Sequence, residues 1–350
     1  MTDPLPPLTV TVNHKPIAVE RARTLLELVQ ELGFPAQHVA IAKNGTVIAR
    51  DQWASIVLEL DDEIDVVRAV SGGAAPAPAD DVLTIADRTF TSRLILGTGR
   101  FPSPEILRQS LIAAGTEMVT VSIRAMGLDG QAAGSGILDE LDLTRYHLLP
   151  NTAGATSVRQ AVFMAQLARE ATSTNWIKLE VIGDERSLWP DPAGTIEACR
   201  ILASEGFVVL PYTSLDLVTA LRLEQAGAVT VMPLAAMIGS GQGIQDPGGI
   251  RRIVERVRCP VIVDAGIGTA SDAAIAMEQG AAACLVNTAI SRAQDPVKMA
   301  HAMRLAIEAG RFAYLAGRIP RLDIAVPSSP LDGIVDVERE PAIATHREGN

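Results

Sequence analysis

Apolar and polar positions alternate at period two over Leu8–Val12, the pattern of a half-buried strand. Asn13-His-Lys-Pro16 interrupts the alternation as a turn, and Ile17–Glu20 resumes it, so the chain opens on a predicted hairpin. The period then changes. Leu25, Leu28, Val29 and Leu32 recur at helical spacing behind Thr24, a candidate N-cap, and Gly33 ends the run. Val39–Lys43, an Asn44-Gly45 turn, Val47–Arg50 and Glu63–Val70 read as three more strands. This α+β stretch finishes on Ser71-Gly72-Gly73.

Residues 74–81, Ala-Ala-Pro-Ala-Pro-Ala-Asp-Asp, break the pattern and read as an extended, semi-rigid linker. Beyond it, apolar runs begin near Leu94, Met118, His147, Trp176, Phe207, Val229, Val261 and Cys284. Amphipathic stretches such as Ser157–Glu170 and Thr195–Glu205 lie between them. Eight βα units within about 250 residues predict an α/β fold of the (β/α)8 TIM-barrel type. An open doubly wound sheet is the alternative, but Gly97-Thr-Gly99 runs into Arg-Phe-Pro and does not complete a G-x-G-x-x-G turn. The expected division is a small domain at 8–73, the linker at 74–81, the barrel at 82–335 and a flexible tail at 336–350.

Charge and cysteine content narrow the class. Forty-one acidic against 30 basic residues give a net charge of −11, a field that repels phosphate backbones, so nucleic acid is not an expected partner. Aromatics are only 3%, so Ala, Val, Ile and Leu must fill the core. Cys199, Cys259 and Cys284 show no metal-ligand spacing and read as reduced thiols. The N-terminus lacks a signal-peptide pattern, and no apolar run is long enough to span a bilayer, so a soluble cytoplasmic protein without a membrane partner is expected.

One imbalance points at chemistry. Of the 30 basic residues only four are lysines: Lys15, Lys43, Lys178 and Lys298. Lys178 lies in Trp176-Ile-Lys-Leu-Glu-Val181. Strand alternation sends Ile177, Leu179 and Val181 toward the outer helices, and Lys178 and Glu180 into the barrel. Partial desolvation there lowers an amine's pKa and frees it as a nucleophile toward a carbonyl, with the carboxylate two residues on as a proton relay. An internal Lys–Glu ion pair filling the barrel is the alternative at this point.

Asp264 follows the apolar run Pro260–Val263, at the carboxyl end of the seventh strand, where barrel active sites form. It is a candidate acid/base, since Ser271-Asp272 offer a better-placed cap for the next helix. Loops of glycine or small polar residues follow three consecutive strands: Gly239-Ser-Gly-Gln-Gly243, then Gly266 and Gly268, then Asn287-Thr288. Loops in these places suit a phosphorylated ligand, because bare backbone N–H groups can approach its oxygens. Arg100 and Arg124, just after the first two strands, could reach a carboxylate or lie solvated. The five histidines are scattered without ligand spacing, so no metal is expected. Gly72-Gly73 could form a thin tail that threads a narrow site, or merely start the linker.

With these residues in view, the chain resembles thiazole synthase of thiamin biosynthesis (the ThiG family), fused behind a ThiS-like sulfur carrier. The barrel part of the likeness runs from about Ile85 to Leu331. It rests on Leu149-Pro-Asn-Thr-Ala-Gly-Ala155, Ile177–Asp184, Val209-Leu-Pro-Tyr212, Ile238–Gly243, Val261–Gly268 and Asn287-Thr-Ala289. The first domain's likeness rests on the β-grasp, ubiquitin-like order and the Gly-Gly end. The resemblance implies a sulfur-transferring transferase that condenses 1-deoxy-D-xylulose 5-phosphate, dehydroglycine and sulfur from a carrier thiocarboxylate into a thiazole carboxylate phosphate. It places Lys178 as the imine-forming amine and Glu180 and Asp264 as acid/base groups. Gly239, Ala265, Gly266, Asn287 and Thr288 stand where the family holds the sugar phosphate, and Gly72 and Gly73 form the carrier tail. It implies no cofactor. The implied partners are a ThiS-type carrier (its own first domain or a separate chain), an adenylating and sulfurating enzyme, and further copies of the chain in a homo-oligomer. One departure stands out: a carrier must end in a free glycine carboxylate, yet Gly73 is followed by Ala74. Either the chain is cut after Gly73, which is the expectation, or the fused unit cannot carry sulfur, or it only occupies the carrier site while a separate carrier serves the barrel. An imine-forming aldolase acting on a phosphosugar and a non-catalytic scaffold are the competing readings.

Overall fold

The computed structural model describes residues 8–33, 39–68, 81–122 and 143–327. They build two compact units, one on residues 8–68 with 320–327 and one on 81–319. Gly72, Gly73, Arg124, residues 74–80 of the linker and the 336–350 tail lie outside the described residues.

The first unit is a five-stranded sheet with one helix. Strands β1 (Leu8–Val12), β2 (Lys15–Val19), β3 (Val39–Lys43), β4 (Thr46–Ile48) and β5 (Glu63–Arg68) lie in the order β2-β1-β5-β3-β4. β1 and β5 are parallel and the other pairs antiparallel, the β-grasp arrangement that the sequence predicts. The first turn is shorter than the sequence suggests. Only Asn13 and His14 form it, both at positive φ, as a two-residue hairpin loop requires. Lys15 and Pro16 therefore belong to β2, and Pro16 is tolerated because β2 is an edge strand. Helix α1 (Leu25–Glu31) starts at Thr24 as predicted. The Thr24 hydroxyl accepts from Glu27 N, and the Glu27 carboxylate accepts from the N–H groups of Arg23 and Thr24. Leu25, Leu28 and Val29 pack with Val10, Ile41, Trp53 and Ile64 in a core of this unit's own.

All eight predicted runs of the second unit form parallel strands: β8 (Leu94–Gly97), β9 (Met118–Ser122), β10 (His147–Asn151), β11 (Trp176–Leu179), β14 (Val208–Thr213), β15 (Met232–Pro233), β16 (Ile262–Val263) and β17 (Ala283–Val286). Their order is β15-β14-β11-β10-β9-β8-β17-β16, and bridges Val231–Val261 and Leu234–Asp264 join the two ends into a ring. Helices α2 (Pro104–Ala114), α3 (Val158–Thr172), α4 (Pro192–Ser204), α5 (Leu217–Gln225), α6 (Pro247–Val254), α7 (Ala270–Glu278), α8 (Thr288–Ser291) and α9 (Pro296–Ala316) alternate with the strands. Ile177, Leu179 and Val181 pack outward on Ala165 of α3 and on Ala198 and Leu202 of α4. The opposite parity fills the interior: Ile95, Met118, Leu149, Trp176, Leu210 and Ile262 share one cluster. A hairpin of β6 (Leu83–Ile85) and β7 (Arg88–Phe90) joins that cluster through Leu83, Ile85 and Phe90, closing the amino-terminal end of the barrel. Asp81 fastens the start of this unit. Its carboxylate takes Arg93 at 2.8 Å and Arg311 of α9 at 2.7 and 2.9 Å.

Candidate active site

Strand parity delivers Lys178 and Glu180 where the sequence puts them. Both are buried, at 7% and 6% exposure, and they meet Asp264, at 3%, arriving from the end of the seventh strand. Lys178 Nζ lies 2.5 Å from Asp264 Oδ2 and 3.5 Å from Glu180 Oε1. It also stands 5.8 Å from the centre of the buried Tyr212 ring. A fully ionised triad of one ammonium and two carboxylates carries a net negative charge with little water to screen it.

The expected depression of the lysine pKa is overturned. Burial pulls it down and is the largest single influence, but Asp264 and then Glu180 together outweigh it and hold the pKa above the ordinary lysine value. Lys178 therefore rests as an ammonium. The same two carboxylates reinforce burial in pushing the Tyr212 phenol upward, so Tyr212 stays neutral.

Asp264 is not the cap of α7. The cap is Thr269, and Asp272 is the third helical residue, its Oδ2 accepting from the N–H groups of Gly268 and Thr269 at 3.0 Å each. The predicted Ser271-Asp272 cap is thus displaced by two residues, because a capping box needs its acid three positions into the helix. Asp264 Oδ1 accepts from Ala265 N at 2.8 Å, which leaves Oδ2 to Lys178. Ala265 and Gly266 follow at φ 58° and 74°, turning the backbone sharply over the site. A Cβ on Gly266 would collide with the backbone of Ala236, so only glycine fits.

The three loops converge. Gly243 N donates to Gly266 O at 2.9 Å, joining the sixth and seventh loops, and Gly239 faces the Thr288 side chain of the eighth. A cavity of about 350 Å3 brings Lys178, Glu180 and Asp264 together with Gly239, Ala265, Gly266, Asn287 and Thr288. Asn287 also has framework work. With its amide turned to satisfy both contacts, it donates to Gly97 O at 3.2 Å and Gly99 O at 2.9 Å, stitching the first loop to the eighth. A larger cavity, about 420 Å3, lies around Asp81, Arg93 and Arg311 at the other end of the barrel, away from the lysine–carboxylate cluster.

Arg100 does not line the catalytic cavity; it is exposed at positive φ. Several lining residues carry no site role in the sequence analysis. Thr120 and Asn151 point inward from β9 and β10. A short hairpin of β12 (Ile182–Asp184) and β13 (Trp189–Pro190) brings Ile182 and Leu188 to the cavity wall. The signal for Asn151 was available: it shares the inward parity of Leu149 and pairs in register with Lys178. Among the described residues, no group of three His, Cys, Asp or Glu side chains could hold a metal ion, and no helix is long and apolar enough to cross a membrane.

Comparison with known proteins agrees with the geometry. The family model for thiazole biosynthesis protein ThiG matches residues 84–330, and that of the ThiS family matches residues 10–73. A thiazole synthase of Myxococcus xanthus is 56% identical over 256 residues, 73% of this chain and 98% of that protein. A thiazole synthase of Magnetococcus marinus is 46% identical over 326 residues, 93% of this chain and 99% of that protein. Among solved structures, the BexX/CysO complex of Amycolatopsis orientalis has a chain that matches with a TM-score of 0.63 and 37% identity, over 69% of this chain and 98% of that one.

Proposed function

We propose, from the premise that this chain belongs to the ThiG family of thiazole biosynthesis proteins and carries a ThiS-family unit ahead of its barrel, that it makes the thiazole through an imine on Lys178. The substrates are 1-deoxy-D-xylulose 5-phosphate, dehydroglycine and the sulfur of a carrier thiocarboxylate. The observation that carries the reading is the pairing of Lys178 Nζ with two buried carboxylates, at 2.5 and 3.5 Å, beneath three converging loops. Asp264, the nearer carboxylate, takes the ammonium proton. The free amine adds to the sugar ketone; the alkoxide formed takes the proton held by Asp264, and the new secondary ammonium passes a proton to Glu180, which returns it to the carbinolamine hydroxyl as that leaves as water. The same two carboxylates then move protons between the adjacent carbons and the imine nitrogen. Backbone N–H groups of the 239, 265–266 and 287–288 loops hold the phosphate. Gly72 and Gly73 form the carrier tail, which a separate enzyme adenylates and sulfurates. The working form is a cytoplasmic homo-oligomer.

Borohydride reduction in the presence of 1-deoxy-D-xylulose 5-phosphate tests this. A covalent adduct on Lys178 is expected, absent in Lys178→Ala. It should also be absent in Lys178→Arg, which keeps the ion pairs but cannot form an imine. An adduct formed with triose phosphates and not with the pentulose phosphate would favour an aldolase. No adduct with any ketose phosphate would sink the imine.

A further inference from the structure

We propose that Thr152 is a positioning residue for this chemistry, its hydroxyl holding Glu180 beside Lys178; the proposal rests on the role given to Glu180 above. Thr152 stands one residue past β10 and is fully buried. Its N–H donates to Lys178 O at 3.1 Å. Its hydroxyl accepts from Glu180 N and donates to Glu180 O, both at 2.8 Å. One side chain thus engages both backbone groups of the residue that carries the carboxylate.

The need for such a clamp follows from the sheet. The β10–β11 ladder registers only Asn151 with Lys178, and β11 ends at Leu179. Glu180 lies beyond the regular ladder yet is buried, where an unpaired N–H or C=O is costly. The Thr152 hydroxyl bonds both groups and so fixes the direction in which the Glu180 Cα–Cβ bond leaves the chain. The turn behind it is braced in the same way: Ala155 N donates to Thr152 O at 3.0 Å, and Ile182 N donates to Ala155 O at 2.8 Å. At 3.5 Å, Glu180 sits at the outer edge of direct contact with the amine, so a small backbone rotation would break the proton path. The segment Leu149–Ala155, which contributes only Asn151, Ala153 and Gly154 to the cavity wall, thereby gains a further role.

Thr152→Ser and Thr152→Ala both lose the methyl, so the difference between them reads the hydroxyl. The expected result is an imine-trapping rate within a few-fold of the parent for serine and about 10- to 100-fold lower for alanine. A second readout is independent of turnover. With only four lysines in the chain, ε-13C-lysine NMR can follow the Lys178 amine, assigned through Lys178→Arg. Thr152→Ala should move the Lys178 titration to lower pH, as Glu180→Gln does, and should add little on top of Glu180→Gln. Serine should leave it in place. If alanine and serine titrate alike, or alanine shifts the titration as fully in the Glu180→Gln background, Thr152 does not act through Glu180 and the proposal falls. Thr152→Val, which keeps the volume, replaces alanine if that variant does not fold. Failure of both to fold would make the hydroxyl a folding staple and overturn the positioning role. Absence of any adduct in the parent protein would instead count against the imine reading, and the titration still decides Thr152.

Discussion

For the imine proposed here, lysine is the only cation that serves at position 178. Arginine carries 26 of the chain's 30 positive charges, but a guanidinium keeps its proton and is a poor nucleophile. The surroundings of Lys178 favour the ammonium, so the proposed imine chemistry begins from a protonated amine. His147 shows the opposite balance at the other end of the barrel. It packs edge-on against Trp176 at 4.3 Å, its Nε2 is buried without a hydrogen-bond partner among the described residues, and burial, with Arg88 adding, pushes its pKa down to about 4. The unfolded chain binds this proton first, near pH 6.5. The stabilisation is therefore complete above that value and falls as the pH drops toward 4. His147→Phe fills the same slot without a titrating nitrogen. It should lose less melting temperature than the parent between about pH 7.5 and pH 5 in a calorimetric scan, and an equal loss would rule the histidine out.

At the level of elements, β11 works because alternation gives one strand two faces: an apolar one for α3 and α4, and a reactive one for the interior. Period two makes that split readable in the sequence. The loops are different. The sequence shows two glycine clusters and the Asn287-Thr288 pair, but not that Gly243 N meets Gly266 O or that Asn287 reaches across to Gly97, because those contacts join segments tens to nearly 200 residues apart. Gly266→Ala should both strain the backbone, at φ 74°, and collide with Ala236. The expected result is a lower melting temperature and a KM for the sugar phosphate raised about fivefold or more, from a cost of about 1–3 kcal/mol. Gly33→Ala is the control. It has a similar φ of 72° but open space around it, so it should cost about 1 kcal/mol of stability and leave KM alone. Equal KM effects would mean that the close approach of the loops does not matter for binding.

For the molecule as a whole, the open question is how a sulfur carrier functions with its terminal glycine joined to a further residue. The break at 74–81 and the Gly73-Ala74 junction are facts of the sequence. They predict that protein taken from its native cell while it makes thiazole has an intact mass divided after Gly73; a wholly uncut population would refute cleavage. Local information settled the two units and the eight strands, since alternation, helical spacing, caps and turn residues act over a few positions. The same information placed Lys178, Glu180 and Asp264 at the right ends of their strands. The tertiary structure alone decided that two carboxylates outweigh burial at Lys178. It also decided that Thr269 rather than Ser271 caps α7, and that Thr152 clamps Glu180. A pKa is set by charges brought together from distant strands, and a hydroxyl's partners are fixed only once the barrel closes, so neither is written in any short stretch of chain.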